Sequence, residues 1–306
     1  KAATPFITSQ ALARDHLVAT TLKDGVLVLD LAPKPKSQPF VFKLASGRCI
    51  GTTPAVSGGC VIFGADDGCV YVLGPGGTLQ PRKDEAPLVS KPRSQVASAT
   101  GKAYGWISTA GDQQGTHFVD DPNLKPPLKV RWATRAFGHF KTPVVATEDG
   151  DLITVTLSRT VTCQEQATGR MRWRTHFPVE AEQLDSSAGL LVAGGRVYLP
   201  VPNNRAPDVP GLRTGLFCCL DQKTGDLLWS AEIGSKCVWT RGSPVLTAGK
   251  VAFIYNRKGV DKGPVAQAWD AATGAPAWLV ELKAASGDNA FGVTDGTNFY
   301  FSAADQ

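Results

Sequence analysis

Few side chains in this chain have the type and spacing to do chemistry. The adjacent thiols Cys218-Cys219 could pair as a vicinal disulfide. Two acidic stretches, Asp66-Asp67-Gly68 and Glu148-Asp149-Gly150, offer the oxygen ligands that calcium takes, although both fit hairpin turns better. The histidines (His16, His117, His139, His176) are scattered, with no H-x-H or H-x-x-x-H metal spacing. No G-x-S-x-G nucleophile elbow, P-loop or calcium-loop signature occurs, so no catalytic or metal-binding set can be assembled. Cations remain. Lys141, Arg205, Arg213, Arg241 and Arg257, with Trp239 among them, could hold a carboxylate or phosphate through charge-assisted hydrogen bonds.

The elements that must position these groups are set by an eleven-residue motif that recurs three times. It reads C-Q-E-Q-A-T-G-R-M-R-W at Cys163–Trp173, C-L-D-Q-K-T-G-D-L-L-W at Cys219–Trp229 and A-W-D-A-A-T-G-A-P-A-W at Ala268–Trp278. A small residue comes first, an acid third, Thr-Gly sixth and seventh, and Trp last. The acid and Thr cap turn amides, and Gly supplies the positive φ of a tight turn between two strands. The tryptophans, 56 and 49 residues apart, mark a repeat architecture in which each indole packs one unit on the next. Trp173, Trp229, Trp278 and the glycines Gly169, Gly225 and Gly274 are therefore the expected structural positions.

This motif resembles the tryptophan-docking motif of the PQQ-like β-propeller repeats, and the resemblance extends over nearly the whole chain. The family holds quinoprotein dehydrogenases and cofactor-free members such as the lipoprotein scaffold of the outer-membrane barrel-assembly machine. The resemblance implies an all-β propeller of four-stranded antiparallel blades in one domain over residues 1–306. Seven blades are expected, six complete and one closing half-blade, with eight as the alternative. It also implies an exported, periplasmic or cell-surface setting, to which an odd number of cysteines is an awkward fit.

Composition agrees with a β-rich repeat. The 306 residues are 42% apolar, with Gly 32, Pro 21 and a single Met, which suits short strands joined by turns. No run of 18 apolar residues is present to span a membrane as a helix. The chain starts at Lys1 without a signal-like apolar core, so an upstream segment is expected. The net charge of +5 is spread out, which disfavours nucleic acid as a partner. Seven cysteines lack any C-x-x-C spacing and read as small buried residues.

Read as blades, the first uses Phe6–Gln10, His16–Leu22, Val26–Leu31 and Pro39–Leu44. The second uses Thr53–Val56, Cys60–Gly64 and Cys69–Leu73, with an ill-formed fourth strand at Thr78–Arg82. An irregular third takes Gln95–Ala99, Lys102–Ser108, Thr116–Val119 and Leu128–Thr134, the last containing Trp132. Three motif-bearing blades follow, with inner strands opening at Thr142, Ala188 and Ser243, and Ala290–Thr294 with Asn298–Ala303 makes a half-blade. The longest loops, Ser108–Gly115, Pro202–Thr214 and Tyr255–Gly263, fall on one face and would make that rim basic.

A non-enzymatic scaffold or binding module for a protein or an anionic ligand, with no cofactor, follows from these readings. The alternatives are a quinoprotein oxidoreductase using PQQ and calcium, and a glycan-active or other enzyme at the rim. By the resemblance, the first alternative needs a calcium-binding acid set and a disulfide in a loop over PQQ. Cys218-Cys219 instead reads as strand, with Cys219 in the motif's small-residue position.

Overall fold

The computed structural model describes residues 10–21, 25–32, 38–44, 53–65, 67–76, 105–135, 138, 140, 142–177, 189–201, 215–233, 242–257, 263–282 and 286–304. Every regular element among them is a strand. The chain divides into two compact units.

The first unit comprises Lys1–Trp106, His117–Thr156 and Thr160–Thr175. Its strands begin with β1 (Ala11–Ala13), β2 (His16–Thr21), β3 (Gly25–Asp30) and β4 (Phe40–Phe42). Next come β5 (Ala55–Ser57), β6 (Cys60–Gly64), β7 (Cys69–Gly74), β8 (Phe118–Val119) and β9 (Lys129–Arg135). The last are β10 (Val145–Ala146), β11 (Asp151–Val155), β12 (Thr160–Glu165) and β13 (Met171–His176). Three sheets result, ordered β4-β3-β2-β1-β8, β5-β6-β7-β9 and β10-β11-β12-β13. Where register is given, neighbours are antiparallel except β8, which runs parallel to β1 with Leu12 opposite Phe118. β6 is a short continuous apolar run buried at every position, as expected of an inner strand covered on both faces. Its Phe63 stacks on the cross-strand partner Tyr71, with centroids 5.3 Å apart.

The irregular third blade of the sequence reading is redistributed. Lys129–Arg135 is the fourth strand of the second sheet, with Trp132 opposite Val72. Phe118–Val119 extends the first sheet instead. Both pairings join residues far apart along the chain, which local alternation does not encode. The first strand of sheet one is Ala11–Ala13, not Phe6–Gln10, because the Arg14-Asp15 turn folds it directly onto His16–Val18. Phe6–Ser9, Thr78–Arg82 and Gln95–Ala99 lie outside the described residues.

The second unit comprises Ile107–Thr116, Leu157–Arg159 and His176–Gln306. Its strands are β14 (Leu191–Ala193), β15 (Arg196–Val201), β16 (Leu216–Asp221), β17 (Leu227–Glu232) and β18 (Val245–Thr247). They continue with β19 (Lys250–Arg257), β20 (Gly263–Asp270), β21 (Pro276–Glu281), β22 (Ser286–Thr294) and β23 (Phe299–Ala304). Sheets β14-β15-β16-β17 and β18-β19-β20-β21 are four-stranded, and β22-β23 is two-stranded. Their core is aromatic. The ring of Phe217 lies 4.7 Å from Phe253 and 4.8 Å from Trp269, centroid to centroid. Tyr255–Arg257, read from sequence as the start of a loop, continues β19, with Tyr255 opposite Val265.

Candidate functional site

The three motif copies fold into one kind of turn. In each, the amide of the glycine donates to the carbonyl of the acid: Gly169 to Glu165 at 2.7 Å, Gly225 to Asp221 at 2.9 Å and Gly274 to Asp270 at 2.9 Å. The threonine hydroxyl accepts the amide two residues on, at 3.1–3.3 Å in all three. Asp221 and Asp270 also accept the threonine amide, each at 2.9 Å. The hydrogen bond from the Thr273 hydroxyl holds the Asp270 carboxyl below the usual carboxylate range. Backbone donation from Thr224 does the same for Asp221. Glu165 is longer, so it reaches outward. Its carboxylate accepts from Thr168 and pairs with Arg170 and Arg172, both at 3.1 Å.

The residue after the acid links the turn to the rest of its own sheet. Gln166 donates to Gly150, Gln222 to Gly195 and Ala271 to Gly249, at 2.9–3.0 Å. Those glycines lie between the first and second strands, so the two turns at one end of each sheet are bonded together.

That same residue also receives a tryptophan. In the first unit, the indole N–H of Trp132 on β9 donates to the Gln166 carbonyl at 2.8 Å. A Cβ on Gly169 would come within 2.8 Å of the Trp132 ring, so the bare glycine makes room for it. In the second unit, Trp229 on β17 donates to the Ala271 carbonyl at 3.1 Å. A Cβ on Gly274 would sit 2.7 Å from its ring. Arg196 donates to the Ala271 carbonyl as well, at 2.6 Å. Within its own sheet each of these tryptophans faces a compact residue: Val72 for Trp132 and Cys219 for Trp229, as Ala268 does for Trp278. In all three cases the register shifts immediately afterwards, the mark of a bulge.

A second element escaped the sequence reading. Ser108–Gly115, expected to be a rim loop, runs across the first strands of the second unit's three sheets. The Ile107 carbonyl accepts the Val192 amide at 2.9 Å. The Thr109 amide donates to Ser243 at 2.9 Å. The Gln113 side chain accepts the Leu246 amide at 2.5 Å, and its carbonyl accepts the Thr294 amide at 3.0 Å. Its only local signal was a polar Gly111–Gly115 stretch without alternation.

The remaining candidates separate as follows. Lys141, Arg205, Arg213, Trp239 and Arg241 lie outside the described residues, as does the side chain of Arg257, which ends β19. Cys218 and Cys219 are free, buried thiols on β16. Burial pushes them up to about 12 and about 11 respectively. Such thiols are inert, not redox-active. Among the described residues no group of three or more His, Cys, Asp or Glu converges on a point. The described residues therefore do not fit PQQ with calcium.

Known proteins give the context. A family model described as outer membrane protein assembly factor BamB matches residues 96–296, more than half of the chain. The crystal structure of BamB from Moraxella catarrhalis superimposes with a TM-score of 0.60 at 13% identity, covering 100% of this chain and 70% of that one. Quinohemoprotein alcohol dehydrogenase ADHIIG from Pseudomonas putida HK5 gives a TM-score of 0.53 at 11% identity, covering 95% of this chain and 45% of that one. The comparison with curated proteins returned no match. At these identities the likeness establishes the fold: an all-β propeller built from four-stranded antiparallel sheets.

Proposed function

The chain belongs to the family of outer membrane protein assembly factor BamB, and on that premise we propose that it is a non-enzymatic scaffold or binding module. Family membership carries this reading. The motif chemistry supports it, because acid, threonine, glycine and tryptophan are all engaged in turns and packing, which leaves none of them for catalysis. In this reading the chain is one propeller domain of seven blades, its tryptophans are interblade docks, and its setting is periplasmic or extracytoplasmic.

The binding surface in this proposal is one loop-rich rim carrying Lys141, Arg205, Arg213, Trp239, Arg241 and Arg257. Such a set recognises an acidic protein segment or another anionic ligand by charge-assisted hydrogen bonds. The test is the double variant Lys141→Glu with Arg241→Glu, used as bait against a periplasmic extract beside the unaltered chain. Loss of a salt-sensitive partner at unchanged melting temperature supports the rim. An unchanged, salt-insensitive set of captured proteins overturns it.

A further inference from the structure

Trp132 and Trp229 define what covers a tryptophan at the end of a sheet in this chain. Each stands on the fourth strand of its sheet. Each lays its ring on the glycine of the turn between the third and fourth strands of the following sheet. Each also donates to the carbonyl next to that turn's acid. Covered in this way, Trp132 and Trp229 are 5% and 8% exposed.

Trp278 occupies the same position on β21, but the following sheet consists of β22 and β23 alone. Among the described residues it has no third strand, no fourth strand and so no acid–threonine–glycine turn. The Trp278 ring meets only the edges of Phe299 at 5.7 Å and Phe301 at 6.3 Å, and it stays half-buried. Leu279 and Val280 beside it and Tyr300 on β23 are 44%, 51% and 50% exposed. Along β23, β22 is the only hydrogen-bonded neighbour among the described residues, so the other edge presents backbone donors and acceptors.

We propose that the outer edge of β23 and the uncovered face of Trp278 form an acceptor site for a β-hairpin of a separate polypeptide whose turn reads Asp-x-x-Thr-Gly. The first hairpin strand adds to β23 by main-chain hydrogen bonds, which supply affinity. The turn glycine seats on the Trp278 ring and the carbonyl after the acid accepts its indole N–H, which supplies specificity. The two covered tryptophans show why this partner fits and a bulkier turn does not, since a Cβ at the glycine would collide with the ring. This site is independent of the basic rim.

A cyclised peptide reproducing Leu216–Glu232, with Cys218→Ser and Cys219→Ala, serves as the probe; cyclisation is needed because an isolated hairpin is marginally stable. It is titrated into the full chain while amide hydrogen exchange is followed over Phe299–Ala304. Saturable slowing of those amides is expected. A peptide with Gly225→Val, or a chain with Trp278→Phe, should bind at least about tenfold more weakly. The chain variant keeps an apolar ring, so folding is retained while the indole donor is lost. Absence of slowing overturns the proposal. So does protection already present in the free monomer, which would mean the edge is closed in cis. Protection that rises with chain concentration alone would assign the edge to a second copy and overturns it too.

Discussion

Gly274 has no side chain because Trp229 occupies the place where one would be: a Cβ there would lie 2.7 Å from the indole. The same glycine sits at φ +76°, so a single residue answers both a backbone demand and a packing demand. The two can be separated. Gly249 has nearly the same φ of +72°, but nothing lies within 4 Å of its would-be Cβ.

Gly249→Ala should therefore cost only the left-handed backbone penalty, about 1–2 kcal/mol. Gly274→Ala should cost that plus about 1–3 kcal/mol for displacing the Trp229 ring. Urea unfolding of the two variants checks the difference, and equal losses would remove the packing role of Gly274.

Trp173 and Trp229 are 6% and 8% exposed, and their truncation to Ala should each destabilise by about 3–5 kcal/mol. Trp278 is half-buried, and Trp278→Ala should cost about 1–2 kcal/mol. Trp229→Phe keeps most of the apolar contact and should lose about 0.5–1.5 kcal/mol, the net worth of the bond to Ala271. Denaturant midpoints that rank Trp278 level with Trp229 would contradict this order.

Asp270 and Asp221 ionise more readily in the folded chain than in the unfolded one, since turn donors favour their charged forms. Their contribution to stability is complete above the unfolded carboxylate value of about 3.9 and is lost as the pH falls through the lower folded value. Asp270→Asn should thus flatten the acid side of the melting profile and leave its slope near neutral pH unchanged. Thermal melts across that range provide the check.

Buried thiols at about 12 and about 11 present almost no thiolate near neutral pH. Cys218 and Cys219 should stay unlabelled by a thiol reagent in the native chain and react fully once it is unfolded. Peptide mapping after labelling decides, and rapid native labelling of either would place it outside the β16 core.

Gln113 holds two amides in different ways, by side chain for Leu246 and by backbone for Thr294. Gln113→Ala should speed hydrogen exchange at Leu246 while Thr294 keeps its protection. Site-resolved exchange separates these outcomes.

The turns were legible because their chemistry is local: an acid, a threonine and a glycine bond to one another within five residues. The tryptophan's importance was also legible, but its receiving surface was not. The glycine that receives Trp229 is 45 residues away in the next sheet, and its φ alone seemed to explain it. Lys129–Arg135 was placed in the wrong sheet for a related reason, since its partner Cys69–Gly74 is separated from it by a long stretch with weak strand patterning. Most of the basic rim stands on sequence alone, because all but Arg257 of its residues fall outside the described structure.

The Ser108–Gly115 segment imposes an order on synthesis. Thr109 and Ser243 are bonded across 134 residues, so the segment leaves the ribosome on the order of ten seconds before its partners do. Throughout that interval it must remain extended and hydrated, and its polar Gly111-Asp112-Gln113-Gln114-Gly115 run suits that wait better than an apolar strand would. The late-arriving sheets then find a waiting cross-tie, and the second unit cannot finish assembling until Thr294 has been made.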